Sequence, residues 1–93
     1  MTAPERRGLA VIGGGRIGEA LLAGMVRRSG AADVVVCERS AERGTELVDR
    51  YGIELADLAD AAARARVLLL AVKPQDIDVL LGLLAEHVDG GHV

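Results

Sequence analysis

Aromatic side chains are nearly absent from this chain of 93 residues, in which Tyr51 is the only one and neither Phe nor Trp occurs. The hydrophobic core must therefore be built from Val, Leu, Ile and Ala, the apolar residues that remain. The shortage also removes the aromatic platforms on which proteins stack single-stranded nucleic acids. We therefore expect no nucleic-acid partner of that kind.

Cysteine, charge of one sign and long apolar segments are scarce as well. The single cysteine, Cys37, excludes an internal disulfide and supplies no metal-ligand spacing. The 11 basic and 14 acidic residues are scattered and sum to −3, so no basic stripe indicates nucleic acid or an anionic membrane as a partner. The opening residues, MTAPERRG, lack the apolar core of a secretory signal, and the longest apolar run, residues 67–72, is too short to cross a bilayer. We expect a soluble, metal-free, cytoplasmic protein.

Short apolar segments alternate with segments of helical periodicity along the whole chain. Strands are predicted over residues 9–13, 34–38 and 66–72, residues 53–55 are predicted as a short strand or an extended link, and residues 92–93 resemble the beginning of another strand. Helices are predicted after Gly18, between Ser40 and Gly52, over residues 56–65, and from Pro74 onward. This alternation predicts a parallel sheet, because parallel neighbours require a crossover connection and a helix is the usual one.

The periodicity also predicts which side of each flanking helix is buried. For the first helix the predicted core face comprises Ile17, Ala20, Leu21, Gly24 and Met25. For the helix after Ser40 it comprises Gly44, Leu47, Val48 and Tyr51, and for the last helix Ile77, Leu80, Leu81, Leu84 and Val88.

Three glycines, Gly13, Gly15 and Gly18, follow the spacing G-x-G-x-x-G between the first predicted strand and the first predicted helix. A chain of this composition, with 12 glycines, is expected to contain that spacing by chance about 0.2 times. The inference therefore depends on where the motif lies, between a predicted strand and a predicted helix. In a dinucleotide-binding turn the first glycine permits a tight turn, the second lets a diphosphate approach the backbone, and the third lets the helix pack on the strand. The N–H groups and the positive dipole end of the helix then face the anion. The sequence therefore predicts a dinucleotide site.

The residues after the second predicted strand bear on which dinucleotide binds. Glu38 lies 20 residues after Gly18, where such domains place an acid that accepts a hydrogen bond from a ribose 2′-hydroxyl, which favours NAD. Arg39, Ser40 and Arg43 follow, and arginines beside a hydroxyl at a helix N-terminus suit a 2′-phosphate, which favours NADP. Two arginines against one glutamate favour NADP(H) over NAD(H).

Three blocks in this order, IGGGRIGEALLAG, VVVCERSAER and VLLLAVKPQD, resemble the N-terminal cofactor domain of pyrroline-5-carboxylate reductase, the last enzyme of proline biosynthesis. The resemblance covers residues 9–93, and AVKPQD is its most specific part, since many dehydrogenases share the glycine turn. It implies a Rossmann-like, doubly wound α/β domain over residues 1–93, with the sheet incomplete after its fourth strand. It also implies an NAD(P)H-dependent oxidoreductase that reduces 1-pyrroline-5-carboxylate to L-proline.

The resemblance implies cofactor-binding roles for residues in three loops, and no catalytic residue or metal ligand. The diphosphate loop comprises Gly13, Gly15, Arg16, Ile17 and Gly18. The 2′-phosphate is held by Arg39, Ser40 and Arg43, beside Glu38. The nicotinamide half passes Ala71, Val72, Lys73 and Pro74.

Three departures from the family qualify these roles. An asparagine is common in the family where Arg16 and Glu38 stand, and Glu38 weakens the case for NADP. The family's C-terminal helical domain, which supplies the imine-binding residues and most dimer contacts, has no counterpart here. We therefore expect this segment alone to be inactive, with the imino-acid substrate and homo-oligomerisation belonging to full-length relatives.

Other interpretations of the same residues stay open. A non-catalytic nucleotide-sensing module would also use a glycine turn and an acid at a strand end. Another NADP-dependent reductase, of the hydroxyacid dehydrogenase type, or a methyltransferase that binds S-adenosylmethionine would share these features. Elsewhere, we predict that Cys37 is a small core residue, that His87 and His92 lie on the surface, and that Tyr51 packs on the sheet with its hydroxyl in water.

Overall fold

The computed structural model describes residues 8–93. Residues 1–7 of the predicted domain, and with them most of the segment judged for a secretory signal, lie outside the described residues. Within this range four strands alternate with four helices: β1 (Leu9–Ile12), α1 (Arg16–Ser29), β2 (Val34–Cys37), α2 (Ala41–Tyr51), β3 (Glu54–Leu55), α3 (Leu58–Arg64), β4 (Val67–Leu70) and α4 (Ile77–Leu84). Single turns of 3₁₀ helix, Ala31–Asp33 and Pro74–Asp76, precede β2 and α4.

The strands form one parallel sheet in the order β3-β2-β1-β4, which confirms the predicted α/β class. Leu9 of β1 is level with Val34 of β2 and Val67 of β4. On the other edge of β4, the Val93 N–H donates to the carbonyl of Arg66 (2.9 Å), and the Leu68 N–H donates to the carbonyl of Val93 (2.9 Å). This alternating pattern is that of a parallel neighbour. Val93 therefore pairs with β4 in the manner of a parallel neighbour, and the prediction of a further strand rests on this one residue.

Helices cover both faces of the sheet, so the domain is doubly wound. On one face, Leu22 of α1 and Leu47 of α2 pack on Val11 and Val36. On the opposite face, Ala61 of α3 joins the core formed around Ala10, Ile12 and Val35, and Leu80 of α4 packs against it. β1 is buried along its whole length, because it lies between two strands and two helical layers.

The predicted ends of α2 and the predicted place of Pro74 agree with the structure. The Ser40 hydroxyl accepts a hydrogen bond from the Arg43 N–H (3.2 Å) at the start of α2. Gly52 ends α2 in the left-handed conformation, with φ of 69°. Pro74 opens the 3₁₀ turn that leads into α4, because a first turn needs no N–H from that residue.

The predicted core face of α1 is wrong at Ile17 and Leu21, whereas Met25 packs against the core as predicted. Ile17 is 74% exposed and Leu21 is 42% exposed, whereas Leu22 is only 1% exposed and Gly18 is also buried. α1 begins at Arg16 rather than after Gly18, and Gly18 rests on the ends of the strands. The buried stripe therefore starts at Gly18 and continues one turn later at Leu22.

The face predicted for α4 is only partly correct. Leu84 is buried, and Ile77 and Leu80 are half-buried. Leu81 and Val88 are exposed, since α4 touches the sheet with a narrower stripe than the periodicity predicts and ends at Leu84.

Candidate functional site

A groove of about 780 Å³ lies at the carboxyl ends of β1, β2 and β4. Because the strands are parallel, their carboxyl ends meet at one edge, where open α/β sheets bind ligands. The groove is lined by these predicted site residues: Gly13, Gly15, Glu38, Arg39, Ala71, Val72 and Lys73. The other predicted residues do not line it: Arg16, Ile17, Gly18, Ser40, Arg43 and Pro74.

Two of the three motif glycines are required by the fold itself. Gly13 has φ of 107°, and a Cβ on it would lie 2.3 Å from the Ala71 carbonyl oxygen. A Cβ on Gly18 would lie 2.5 Å from the Gly13 carbonyl oxygen and 3.3 Å from the Ala71 Cβ. The tight turn and the close packing of α1 on the strands therefore agree with the predicted geometry of these two positions.

Gly15 differs from both, because no neighbouring atom requires a glycine there. Its φ of −72° suits any residue, and a Cβ built on it would meet no atom within 4 Å. Gly15 caps α1 and lines the groove, so the N-terminus of that helix opens onto free space. An anionic group can thus approach the backbone here, where the helix dipole is positive.

Gly14, the residue between the first two motif glycines, is a site residue that the sequence analysis missed. A Cβ on it would lie 2.9 Å from Cδ1 of Leu47 and 3.3 Å from the side-chain carbons of Glu38. The turn is therefore seated directly on α2. Only the run of three adjacent glycines signalled this contact.

Further groove residues were not among the predicted site residues. They are Ile12, Cys37, Ala56, Asp57, Leu58, Asp76, Val79, Leu80 and Leu83. Ala56 and Asp57 directly follow β3, so their position after a strand was the available signal. The exposed residues Val79 and Leu83 of α4 add an apolar wall, which helical periodicity alone does not distinguish from solvent-facing surface.

Arg43 reaches the glycine turn but does not enter the groove. Its Nε donates to the Gly14 carbonyl (2.5 Å), its Nη2 to Oε1 of Glu19 (2.5 Å), and its Nη1 to Oε2 of Glu46 (3.0 Å). Its side chain is only 24% exposed. The guanidinium charge is thus paired within the protein. A contact of Arg43 with a 2′-phosphate stays a prediction.

Glu19 joins α1 to α2. Its Oε2 accepts hydrogen bonds from the Tyr51 hydroxyl (2.6 Å) and from Arg50 Nη1 (2.6 Å), and its Oε1 accepts the bond from Arg43. These bonds, that from Tyr51 foremost, lower the pKa of Glu19 to about 2. Tyr51 packs against the core as predicted, and its hydroxyl donates to this carboxylate, a partner that the sequence did not predict.

Glu38, Arg39 and Lys73 follow the carboxyl ends of β2 and β4, as the predicted strands imply. Glu38 is half-buried against the turn, and Arg39 is exposed at the groove. Lys73 is exposed where β4 gives way to the 3₁₀ turn. Cys37 is half-buried, and burial raises the pKa of its thiol, with Asp57 and Glu38 adding to the effect. A raised pKa keeps the thiol protonated and agrees with a small packing residue.

The prediction that His92 lies on the surface is wrong. Its side chain is only 4% exposed, contrary to the predicted surface position. Its Nε2 lies 2.6 Å from the Ala62 carbonyl, and the Asp89 N–H lies 3.0 Å from its Nδ1. A carbonyl can only accept, so Nε2 carries the proton and Nδ1 accepts from Asp89.

No helix within residues 8–93 combines the length and apolar character needed to span a membrane. Over the same range, no group of three or more His, Cys, Asp or Glu side chains is placed to hold a metal ion.

Comparison with known proteins places the chain among oxidoreductases. The family described as NADP oxidoreductase, coenzyme F420-dependent, matches residues 8–93. A pyrroline-5-carboxylate reductase from Mycobacterium leprae (strain TN) is 40% identical over 79 residues, which cover 84% of this chain and 27% of that protein. The enzyme of the same name from Corynebacterium melassecola is 45% identical over 83 residues, 87% of this chain and 31% of that protein. The chain thus spans less than a third of these relatives.

Solved structures agree on the fold. A pyrroline-5-carboxylate reductase from Coxiella burnetii superposes with a TM-score of 0.83 at 23% identity, over 92% of this chain and 33% of that one. An imine reductase from Myxococcus stipitatus, a V8 variant in complex with NAD+, superposes with a TM-score of 0.70 at 32% identity, over 87% of this chain and 26% of that one. The sheet and its helices are therefore Rossmann-like.

Proposed function

This chain belongs to the NADP oxidoreductase, coenzyme F420-dependent family, and from that premise we propose that it is the dinucleotide-binding part of a pyrroline-5-carboxylate reductase. The whole protein would reduce 1-pyrroline-5-carboxylate to L-proline, the reaction that the names of its relatives imply. The observation that carries the proposal is the open space above Gly15, at the N-terminus of α1 and inside the groove.

Gly15 provides a test of whether the groove suits a dinucleotide. Nothing in the chain itself demands glycine there, since the backbone angles are ordinary and a Cβ would contact nothing. A diphosphate resting on the backbone would occupy the space that a side chain takes. The size of the groove, about 780 Å³, also suits an extended ligand. The residues therefore fit the proposed cofactor.

Each loop would hold one part of the cofactor. Gly13, Gly15 and Gly18 shape the turn, at which the backbone N–H groups of Arg16 and Ile17 would face the diphosphate. The adenosine ribose would lie by Glu38, Arg39 and Ser40, and the nicotinamide half by the segment of residues 71–74. When bound, NAD(P)H supplies the hydride, and this chain's own residues bind and orient the cofactor.

A binding experiment tests the proposal. We expect the chain to bind NADPH and not S-adenosylmethionine in a calorimetric titration. Gly15→Ala should weaken NADPH binding roughly tenfold, because a new methyl group would stand where the diphosphate approaches. Gly24→Ala is the matched control, since Gly24 lies on α1 away from the groove and a Cβ there also meets nothing within 4 Å. Tighter binding of S-adenosylmethionine, or an unchanged Gly15→Ala variant, would contradict the proposal.

We further propose that the cofactor is NADP(H) rather than NAD(H), with Arg39 as the main cation for the 2′-phosphate. Arg39 is exposed and lines the groove, and Ser40 follows it at the N-terminus of α2. Arg39→Ala should weaken NADPH binding roughly tenfold and NADH binding by less than about threefold, since only NADPH carries the phosphate. The control Arg28→Ala removes an exposed arginine from the last turn of α1. Equal losses for the two cofactors in the Arg39 variant would remove this role.

A further inference from the structure

Every guanidinium nitrogen of Arg43 is engaged inside the protein. Nε donates to the carbonyl of Gly14, while the two terminal nitrogens donate to Glu19 and Glu46. Two carboxylates thus neutralise the charge, and Arg43 does not line the groove. Arg43 thus uses three of its five N–H donors within the protein, and the bond from Nε holds one peptide of the turn.

The Gly14 carbonyl and the Gly15 N–H belong to the same peptide plane. No peptide bond in the described residues is cis, and in a trans peptide the C=O and N–H bonds point in opposite directions. The bond from Arg43 holds the Gly14 carbonyl toward α2. The Gly15 N–H is therefore directed away from α2, and Gly15 itself lines the groove.

The position of Arg43 is fixed in turn by Glu19 of α1, which is itself held by two side chains of α2. Glu19 accepts from Arg43, and the same carboxylate is held by the Tyr51 hydroxyl and by Arg50. Leu47 of α2 lies so close to Gly14 that a Cβ there would approach it to 2.9 Å. Packing and hydrogen bonding thus both hold the Gly14–Gly15 peptide against α2.

We propose that Arg43 is a positioning residue, which orients the Gly14–Gly15 peptide so that the Gly15 N–H faces the cofactor diphosphate, and that Glu19 holds Arg43 in place. This inference rests on the proposed function, and it gives Arg43 a different role from contact with a 2′-phosphate. The two roles predict different cofactor selectivity. The diphosphate is common to NADPH and NADH, whereas only NADPH has the 2′-phosphate.

The test compares both cofactors on the 93-residue chain. Arg43→Gln should weaken NADPH and NADH binding by the same factor, roughly tenfold, which is typical of losing a hydrogen bond to a charged group. The control Arg64→Gln removes an arginine that pairs with Glu54 and Asp60, away from the turn, and should leave both affinities unchanged. A loss confined to NADPH would overturn the proposal and return Arg43 to the 2′-phosphate.

A spectroscopic readout separates positioning from a general loss of folding. In ligand-free protein, Arg43→Gln should shift the amide ¹⁵N–¹H resonances of Gly14 and Gly15, while the resonances of the central strand β1 stay in place. Glu19→Gln should shift the same two resonances in the same direction, because it releases Arg43. Unmoved glycine resonances would overturn the proposal. This readout needs no ligand, so it still decides the role of Arg43 if the chain binds neither cofactor and the proposed function fails.

Discussion

Glu19 is the residue at which we expect the packing of α1 on α2 to depend on pH. It accepts hydrogen bonds from the Tyr51 hydroxyl, Arg50 and Arg43, and all three donors lie on α2. Each donor stabilises the ionised carboxylate, which is why the pKa of Glu19 falls to about 2. The sequence offered no sign of this cluster, because Glu19 and Tyr51 are 32 residues apart.

Acid should therefore lower the free energy of unfolding of the wild-type chain, because it protonates Glu19. The pKa of this carboxyl is lower in the folded state (about 2) than its ordinary value of 4.5, so its stabilising contribution is present above pH 4.5 and is lost as the pH falls toward 2. Urea unfolding at pH 5 and at pH 2 measures the loss. Glu19→Gln should lose less stability over this interval, since it has no carboxyl to protonate. An equal loss in both proteins would contradict the prediction.

Tyr51 gives an independent measurement of the same cluster. Its hydrogen bond to Glu19 raises the pKa of the phenol above the ordinary 10, because the neighbouring carboxylate disfavours the phenolate. As Tyr51 is the only aromatic residue, its ionisation can be followed by ultraviolet absorbance without interference. We expect Glu19→Gln to lower the pKa of Tyr51 toward 10. A titration that is the same in both proteins would show that the bond is absent in solution.

At the scale of elements, the buried face of α1 differs from the face that helical periodicity predicts. Ile17 and Leu21 are as apolar as Leu22, so periodicity within the helix does not decide which of them is buried. The choice is made outside the helix, where Gly18 approaches the Gly13 carbonyl and fixes the rotation of α1 about its axis. Leu22, one turn after Gly18, then reaches the core.

Two leucine substitutions test this assignment. Leu22→Ala should cost about 2–5 kcal/mol in the free energy of unfolding, because it leaves a cavity between α1 and the sheet. Leu21→Ala should cost about 1 kcal/mol or less, since Leu21 is 42% exposed. Chemical denaturation of the two variants provides the comparison. A larger cost for Leu21→Ala than for Leu22→Ala would mean that α1 sits in the rotation predicted from periodicity, and equal costs would also contradict the observed assignment.

At the scale of the whole molecule, the site exists because of the strand order. β1 is paired with β2 on one side and with β4 on the other, and the chain continues from β1 into α1 on one face of the sheet but from β4 into α4 on the opposite face. The loops that follow residues 12, 37 and 70 are far apart in sequence, but in the folded sheet they lie beside one another. This divergence is the switch point at which open α/β sheets form ligand crevices.

A ligand bound at this groove should stabilise the entire domain. NADPH at one hundred times its dissociation constant should raise the free energy of unfolding by about 2.7 kcal/mol, because only the folded chain has the groove. Denaturant unfolding with and without NADPH measures the change, and S-adenosylmethionine at the same concentration should have no effect. Unfolding that is the same with and without NADPH would contradict the proposed function.

The sequence alone determined the order of strands and helices, the caps at Ser40 and Gly52, and the glycine turn. These features depend on local properties: apolar periodicity, backbone freedom and a side chain's reach to its own helix end. Only the tertiary structure decided the rotation of α1, the burial of His92, the seat of Gly14 on α2, and the pairing of Arg43 with Glu19. Each of these depends on which atoms meet across the sheet or between helices, and a local pattern does not carry that information.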